Sequence, residues 1–204
     1  MGQKAVVALF LAFELLMVGC SGRVKPFKVD PVACSEAAIK QYDKNGDGAL
    51  DENELKACPA LLKELGAYDK SKDKKLVREE IEEQLREMYD RGSGMTSMDC
   101  TITLDGQPLS NATVKFIPED FLGTEIKAAS GITNSSGVAP LGIPDEDMPK
   151  ILRGHPLMRV GIYRVEITHP TRKIPAKYNT NTELGFEFHK TNHVQPPVYN
   201  LVSK

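Results

Sequence analysis

The sequence predicts two unlike units in one chain, a helical unit over residues 31–91 followed by an all-β unit over residues 98–204. Three observations predict this. Apolar residues recur at helical spacing up to about Arg91, as in Ile81, Leu85 and Met88. Beyond Gly92, Ser93 and Gly94 the pattern changes to about seven short strand-like runs separated by turn residues, which is the signature of an antiparallel β-sandwich. Two acidic stretches, 43–54 and 69–80, interrupt the helical part.

The helical elements follow in order. Asp30 is placed to cap a first helix with Pro31 at its first position, because proline needs no N–H there. Ala33, Ala37, Ala38 and Tyr42 form its apolar stripe. Pro59 opens a second helix, expected over 59–68, and a last helix is expected over 78–89. Residues 92–97 read as a linker with some freedom.

The strand-like runs are 101–104, 113–117, 162–167, 184–188 and 198–202, with weaker ones at 131–133 and 138–139. Asp105-Gly106 and Asn134 to Gly137 punctuate them. Pro140 is expected to interrupt the strand after Gly137. Residues 140–158, with Asp145-Glu146-Asp147 and several prolines, read as a long exposed insertion.

The first acidic stretch matches the EF-hand loop pattern at every defined position. Calcium wants six to eight hard oxygen ligands, and this spacing supplies them. Asp43, Asn45 and Asp47 aim side-chain oxygens inward, Gly48 takes the sharp turn, and Ala49 offers its carbonyl. Asp51 can hold a bridging water, and Glu54 closes the loop with both carboxylate oxygens. Leu50 is expected in the core. The second stretch is degenerate. Asp69, Ser71, Asp73, the Lys75 carbonyl and Glu80 occupy ligand positions, but Lys74 replaces the turn glycine and Val77 cannot orient a water. Its four lysines oppose a further cation, so weak binding or none is expected. Leu50 and Leu76 are placed to bridge the two loops. The short connection between the loops resembles the compact EF-hand pairs of secreted bacterial proteins.

The N-terminus has a different character. Lys4 precedes an apolar run from Ala5 to Val18, too short to span a membrane and typical of a signal peptide. Leu16-Met17-Val18-Gly19-Cys20 resembles the lipobox of bacterial lipoproteins, which implies cleavage after residue 19, acylation of Cys20 and a tether over 20–30. The alternative is a plain secretory signal with an incidental cysteine. Lipid anchoring would make a membrane the first partner. Export implies an oxidising compartment, in which Cys34 and Cys58 either form a bridge across the first loop or remain two buried thiols. Spacing does not decide between them.

Strand 101–104, Asp105-Gly106, Pro108-Leu109 and Ala112-Thr113-Val114 together look like the opening of carboxypeptidase regulatory-like domains. Gly161-Ile162-Tyr163 resembles a later strand of that family, and Ile174 to Asn179 looks like a segment of planctomycete lipoproteins. The resemblance implies a seven-stranded prealbumin/Ig-like antiparallel β-sandwich serving as a non-catalytic module.

Composition and motifs narrow function further. The net charge is -2 and neither unit is basic, so no nucleic-acid partner is expected. No nucleophile-elbow, zinc-protease or P-loop pattern occurs, so no enzyme is expected. Of the histidines His155, His169, His189 and His193, the last two are four apart, a metal-ligand spacing on a helix. Phe186 and Phe188 instead indicate a strand running into a turn, so His189 and His193 read as surface residues. The expectation is a calcium-binding envelope lipoprotein whose sandwich contacts a protein or glycan. An accessory subunit of an envelope enzyme or transport system, and a calcium sensor, are the alternatives.

Overall fold

The computed structural model describes residues 28–90, 94–189 and 195–204. The expected signal segment, Cys20, most of the tether and His193 lie outside the described residues. The chain combines helices with several antiparallel sheets.

The helical part begins with α1 (Pro31–Tyr42). Asp30 caps it as expected, its carboxylate accepting from the Val32 and Ala33 N–H groups at 3.1 and 3.3 Å. A loop leads to β1 (Ala49–Leu50) and to α2 (Glu52–Leu55). The helix expected over 59–68 is two helices, α3 (Pro59–Lys63) and α4 (Leu65–Tyr68), separated at Glu64 by a non-helical φ, ψ of -95°, 9°. A second loop leads to β2 (Leu76–Val77) and α5 (Arg78–Asp90). β1 and β2 pair antiparallel, with Leu50 opposite Leu76 and both fully buried. The two loops are thereby bridged as the sequence anticipates. α1 and α5 pack together across them.

The β part opens with β3 (Met95–Thr96), which lies inside the expected linker but pairs with β9 (Met158–Arg159). β4 (Met98–Leu104) turns through Asp105-Gly106 into β5 (Gln107–Pro108). Both turn residues have positive φ, the requirement of a two-residue hairpin. β6 (Thr113–Pro118), β7 (Ala129–Ile132), β8 (Val138–Leu141), β10 (Gly161–Thr168), β11 (Gly185–Phe188) and β12 (Val198–Leu201) complete the set. One sheet has the order β11-β10-β6-β7, all antiparallel. The other has β12-β4-β5, with β8 also on β4.

Three expectations are corrected here. β12 runs parallel to β4, not antiparallel. Pro140 lies within β8 rather than ending it. The Ile102 N–H donates to the Gly137 carbonyl at 2.8 Å, and by strict alternation Asp99 and Pro140 then form a non-hydrogen-bonded pair. The ladder to β4 therefore asks for no N–H at residue 140. Residues 140–158 are not simply an exposed insertion. Ile143, Met148 and Met158 are buried, and Asp145 accepts from the Gly154 N–H at 2.9 Å. Pro144 and Pro149 precede short 3-10 turns over Asp145–Asp147 and Lys150–Leu152, and the buried Met148 lies between the two turns.

Both parts share one continuous core. α3 lies on β11 so closely that a Cβ on Gly185 would stand 2.1 Å from the Ala60 nitrogen, which only glycine permits. Tyr42 meets Phe121 edge to face. The glycine-rich segment at 92–94 therefore joins packed partners, and the interdomain freedom it suggested is opposed by this burial.

Candidate metal centre

Residues 43–54 form a closed loop held by its own amides. Asp43 accepts from the Gly46 N–H at 2.6 Å through one oxygen and from the Gly48 N–H at 2.9 Å through the other. Asn45 accepts from Asp47, and Asp47 from Ala49. Gly46 and Gly48 have φ of 76° and 82°, in the left-handed region. Asp51 caps α2 and forms a capping box with Glu54. Glu54 is buried, yet its carboxylate crosses the loop to accept from the Lys44 and Asn45 N–H groups at 2.8 and 3.1 Å and from Asp51 at 3.0 Å.

Residues 69–80 repeat this skeleton. Asp69 accepts from Lys72, Asp73 and Lys74. Glu80 is buried and accepts from Lys70 and Ser71 at 2.9 and 3.0 Å and from Val77 at 3.1 Å. Lys72 and Lys74 adopt φ of 62° and 65°, where the first loop has glycines. The left-handed turn is thus retained at Lys74, at a cost of about 1–2 kcal/mol. Ser71 donates to Asp69, Asp73 accepts from Lys75, and the Lys75 carbonyl position follows.

One contact joins the loops beyond the β1–β2 bridge. The Lys75 ammonium lies 2.7 Å from an Asp47 oxygen. Sequence reasoning named Lys75 only for its carbonyl. Asp47 is held below its ordinary carboxylate range, chiefly by this hydrogen bond.

The donor set suits a hard cation. Asp43, Asn45, Asp47, Asp51 and Glu54 are all oxygen donors, and loop amides occupy the carboxylates without bringing a net charge. Among the described residues no group of three or more His, Cys, Asp or Glu side chains is gathered for a metal.

Each loop is also tied to the sheets through the tyrosine just before it. Tyr42 donates to Glu119 at 2.8 Å, and Tyr68 donates to Glu187 at 2.5 Å. Glu119 is 1% exposed, with the Arg164 guanidinium 3.7 Å away. Burial raises its carboxyl above the ordinary range, opposed by Tyr42 and Arg164. Burial likewise pushes Glu187 up to about 7, opposed by the Tyr68 hydrogen bond. No sequence motif flagged either pair.

Cys34, Cys58 and Cys100 are buried free thiols, so of the two alternatives for Cys34 and Cys58 this structure has thiols rather than a bridge. Burial pushes Cys34 up to about 11 and Cys58 higher, which makes both poor nucleophiles. His189 is buried, not on the surface as expected; it follows directly on β11, whose Phe186 and Phe188 are buried as well. His169 accepts at Nδ1 from Thr171 and Arg172 and so donates from Nε2 to the Ser110 carbonyl at 3.0 Å. These contacts give it a turn-stabilising role.

An open cleft of about 660 Å³ lies where α3 meets β10 and residues 179–183. Lys56 and Arg164 are balanced there by Glu166 and Glu183, and its described lining has no aromatic face. Among the described residues no helix is long and apolar enough to cross a membrane. No protein-family model, curated protein or solved structure matches the chain.

Proposed function

We propose that this chain is a non-enzymatic, calcium-binding bacterial envelope lipoprotein. In this reading the helical part is an EF-hand pair with one working site, the β part is a seven-stranded sandwich, and Cys20 carries the lipid anchor. The observation that carries the calcium reading is the first loop. Its oxygen donors recur at alternate positions, and the buried Glu54 carboxylate reaches across to Lys44 and Asn45.

Asp43, Asn45, Asp47, the Ala49 carbonyl and Glu54 would hold the ion, with Asp51 orienting a water. Bound there, calcium would cross-link α1 to α2 through hard oxygen ligands. The second loop keeps the pair's frame through Leu76 and Glu80 and contributes little affinity. The core shared between α3 and β11, with the two tyrosine–glutamate bonds, favours a structural staple over a sensor. A sensor needs its helices to open, and here opening would expose Leu61, Ala60 and Gly185. The sandwich is the part available for an envelope protein or glycan.

Calorimetric titration of the full-length protein in detergent, beside Glu54→Gln, tests the calcium reading. One site present in the native chain and lost in the variant is expected. A native chain that binds no calcium would sink it.

A further inference from the structure

The second loop carries a feature that a failed calcium site does not need. Its Lys75 side chain leaves its own loop and reaches the first, placing the ammonium 2.7 Å from the Asp47 oxygen that the EF-hand pattern assigns to the metal. Asp51 and Asp73 lie in the same field. Both partners keep solvent contact, at 41% and 38% of their side-chain surface. The other donors to the first loop's carboxylates are neutral amides, and a carboxylate oxygen has lone pairs for an amide and a cation together. An ammonium differs because it brings a full positive charge to the place a divalent cation must occupy.

We infer that Lys75 is a tethered competitor for the first loop, so that a divalent cation enters by displacing the Lys75 ammonium from Asp47. This rests on the calcium reading of that loop and adds its regulation. The degenerate loop thereby lowers the affinity of its neighbour and makes binding an exchange of one cation for another. The displaced ammonium moves to solvent and no covalent bond is made or broken.

The test is calcium titration of the full-length protein in detergent, native beside Lys75→Met, which keeps the aliphatic stem and removes the charge. Lys72→Met is the control for net charge, since Lys75 is the lysine of this loop that forms the ion pair with Asp47. An exposed ion pair is weak and screened by solvent, so Lys75→Met should bind calcium about 1.4- to fivefold more tightly. Lys72→Met should shift much less. Melting gives a second readout. Lys75→Met should melt slightly below the native chain without calcium and at the same temperature as it with saturating calcium. Equal affinity in native and Lys75→Met proteins, an equal gain from Lys72→Met, or a parallel fall of both melting temperatures would overturn the inference and leave the calcium reading standing. Absence of calcium binding in both native and Lys75→Met proteins would overturn the two together.

Discussion

The loops 43–54 and 69–80 share one backbone and differ in chemistry. In each, a terminal glutamate accepts from the second and third amides of the loop and from an amide three residues before itself. In each, the opening aspartate gathers the amides of the turn. Yet one loop turns on glycines and the other on lysines forced to positive φ. In each loop the frame therefore depends on two carboxylates and the amides they hold, while the remaining side chains differ. The turn residues can change and the loop keep its shape, because the shape is supported from the core by Leu50 and Leu76.

The largest effect should come from removing that shared support. Leu50→Ala and Leu76→Ala should each cost about 2–5 kcal/mol by denaturant unfolding, since both side chains are fully buried. The double variant should lose less than the sum, because the residues pair across β1 and β2. Strict additivity would show that the loops are supported independently.

Next come the terminal glutamates. Glu54→Ala and Glu80→Ala each strip three backbone amides of a charged acceptor and should destabilise the calcium-free protein by about 1.5–3 kcal/mol. Only Glu54→Ala should also abolish calcium binding. If Glu80→Ala removed it too, the assignment of a purely structural role to the second loop would be wrong.

The tyrosine tether of the second loop should respond to pH. Glu187, the partner of the second loop's tyrosine, is raised from its ordinary 4.5 to about 7 by burial. An acid with a raised folded-state value contributes stability that is full below its unfolded value and is lost as pH rises through the folded one. Between pH 4.5 and 7 the native chain should therefore lose on the order of 2 kcal/mol from this group. Glu187→Gln keeps an acceptor for Tyr68 and should flatten that part of the profile in melts taken from pH 4 to 8. An unchanged slope would show that Glu187 titrates normally.

The smallest effect lies in the turn. Lys74→Gly should stabilise by about 1 kcal/mol, and Gly48→Ala in the first loop should destabilise by a similar amount, because only glycine adopts this conformation freely. Opposite signs in thermal melts are expected. A destabilising Lys74→Gly would mean that the lysine stem packs usefully where it lies.

By itself the sequence determined the local features. Asp30 before Pro31, Asp105-Gly106, the loop carboxylates at alternate positions and Leu50 with Leu76 all act within a few residues or in a repeated register, so spacing exposes them. Strand runs were legible for the same reason, since alternation is a local property. Tertiary structure alone decided the parallel pairing of β12 with β4, the accommodation of Pro140 at a non-hydrogen-bonded position, and the burial of Cys34 and Cys58 as thiols. It also brought Lys75 to Asp47, Tyr42 to Glu119 and Tyr68 to Glu187, across separations of 28, 77 and 119 residues. No periodicity links residues so far apart. Lys75 reaches Asp47 because β1 and β2 pair and set the two loops side by side, whereas the tyrosines reach their glutamates because the helical and β parts close over one core.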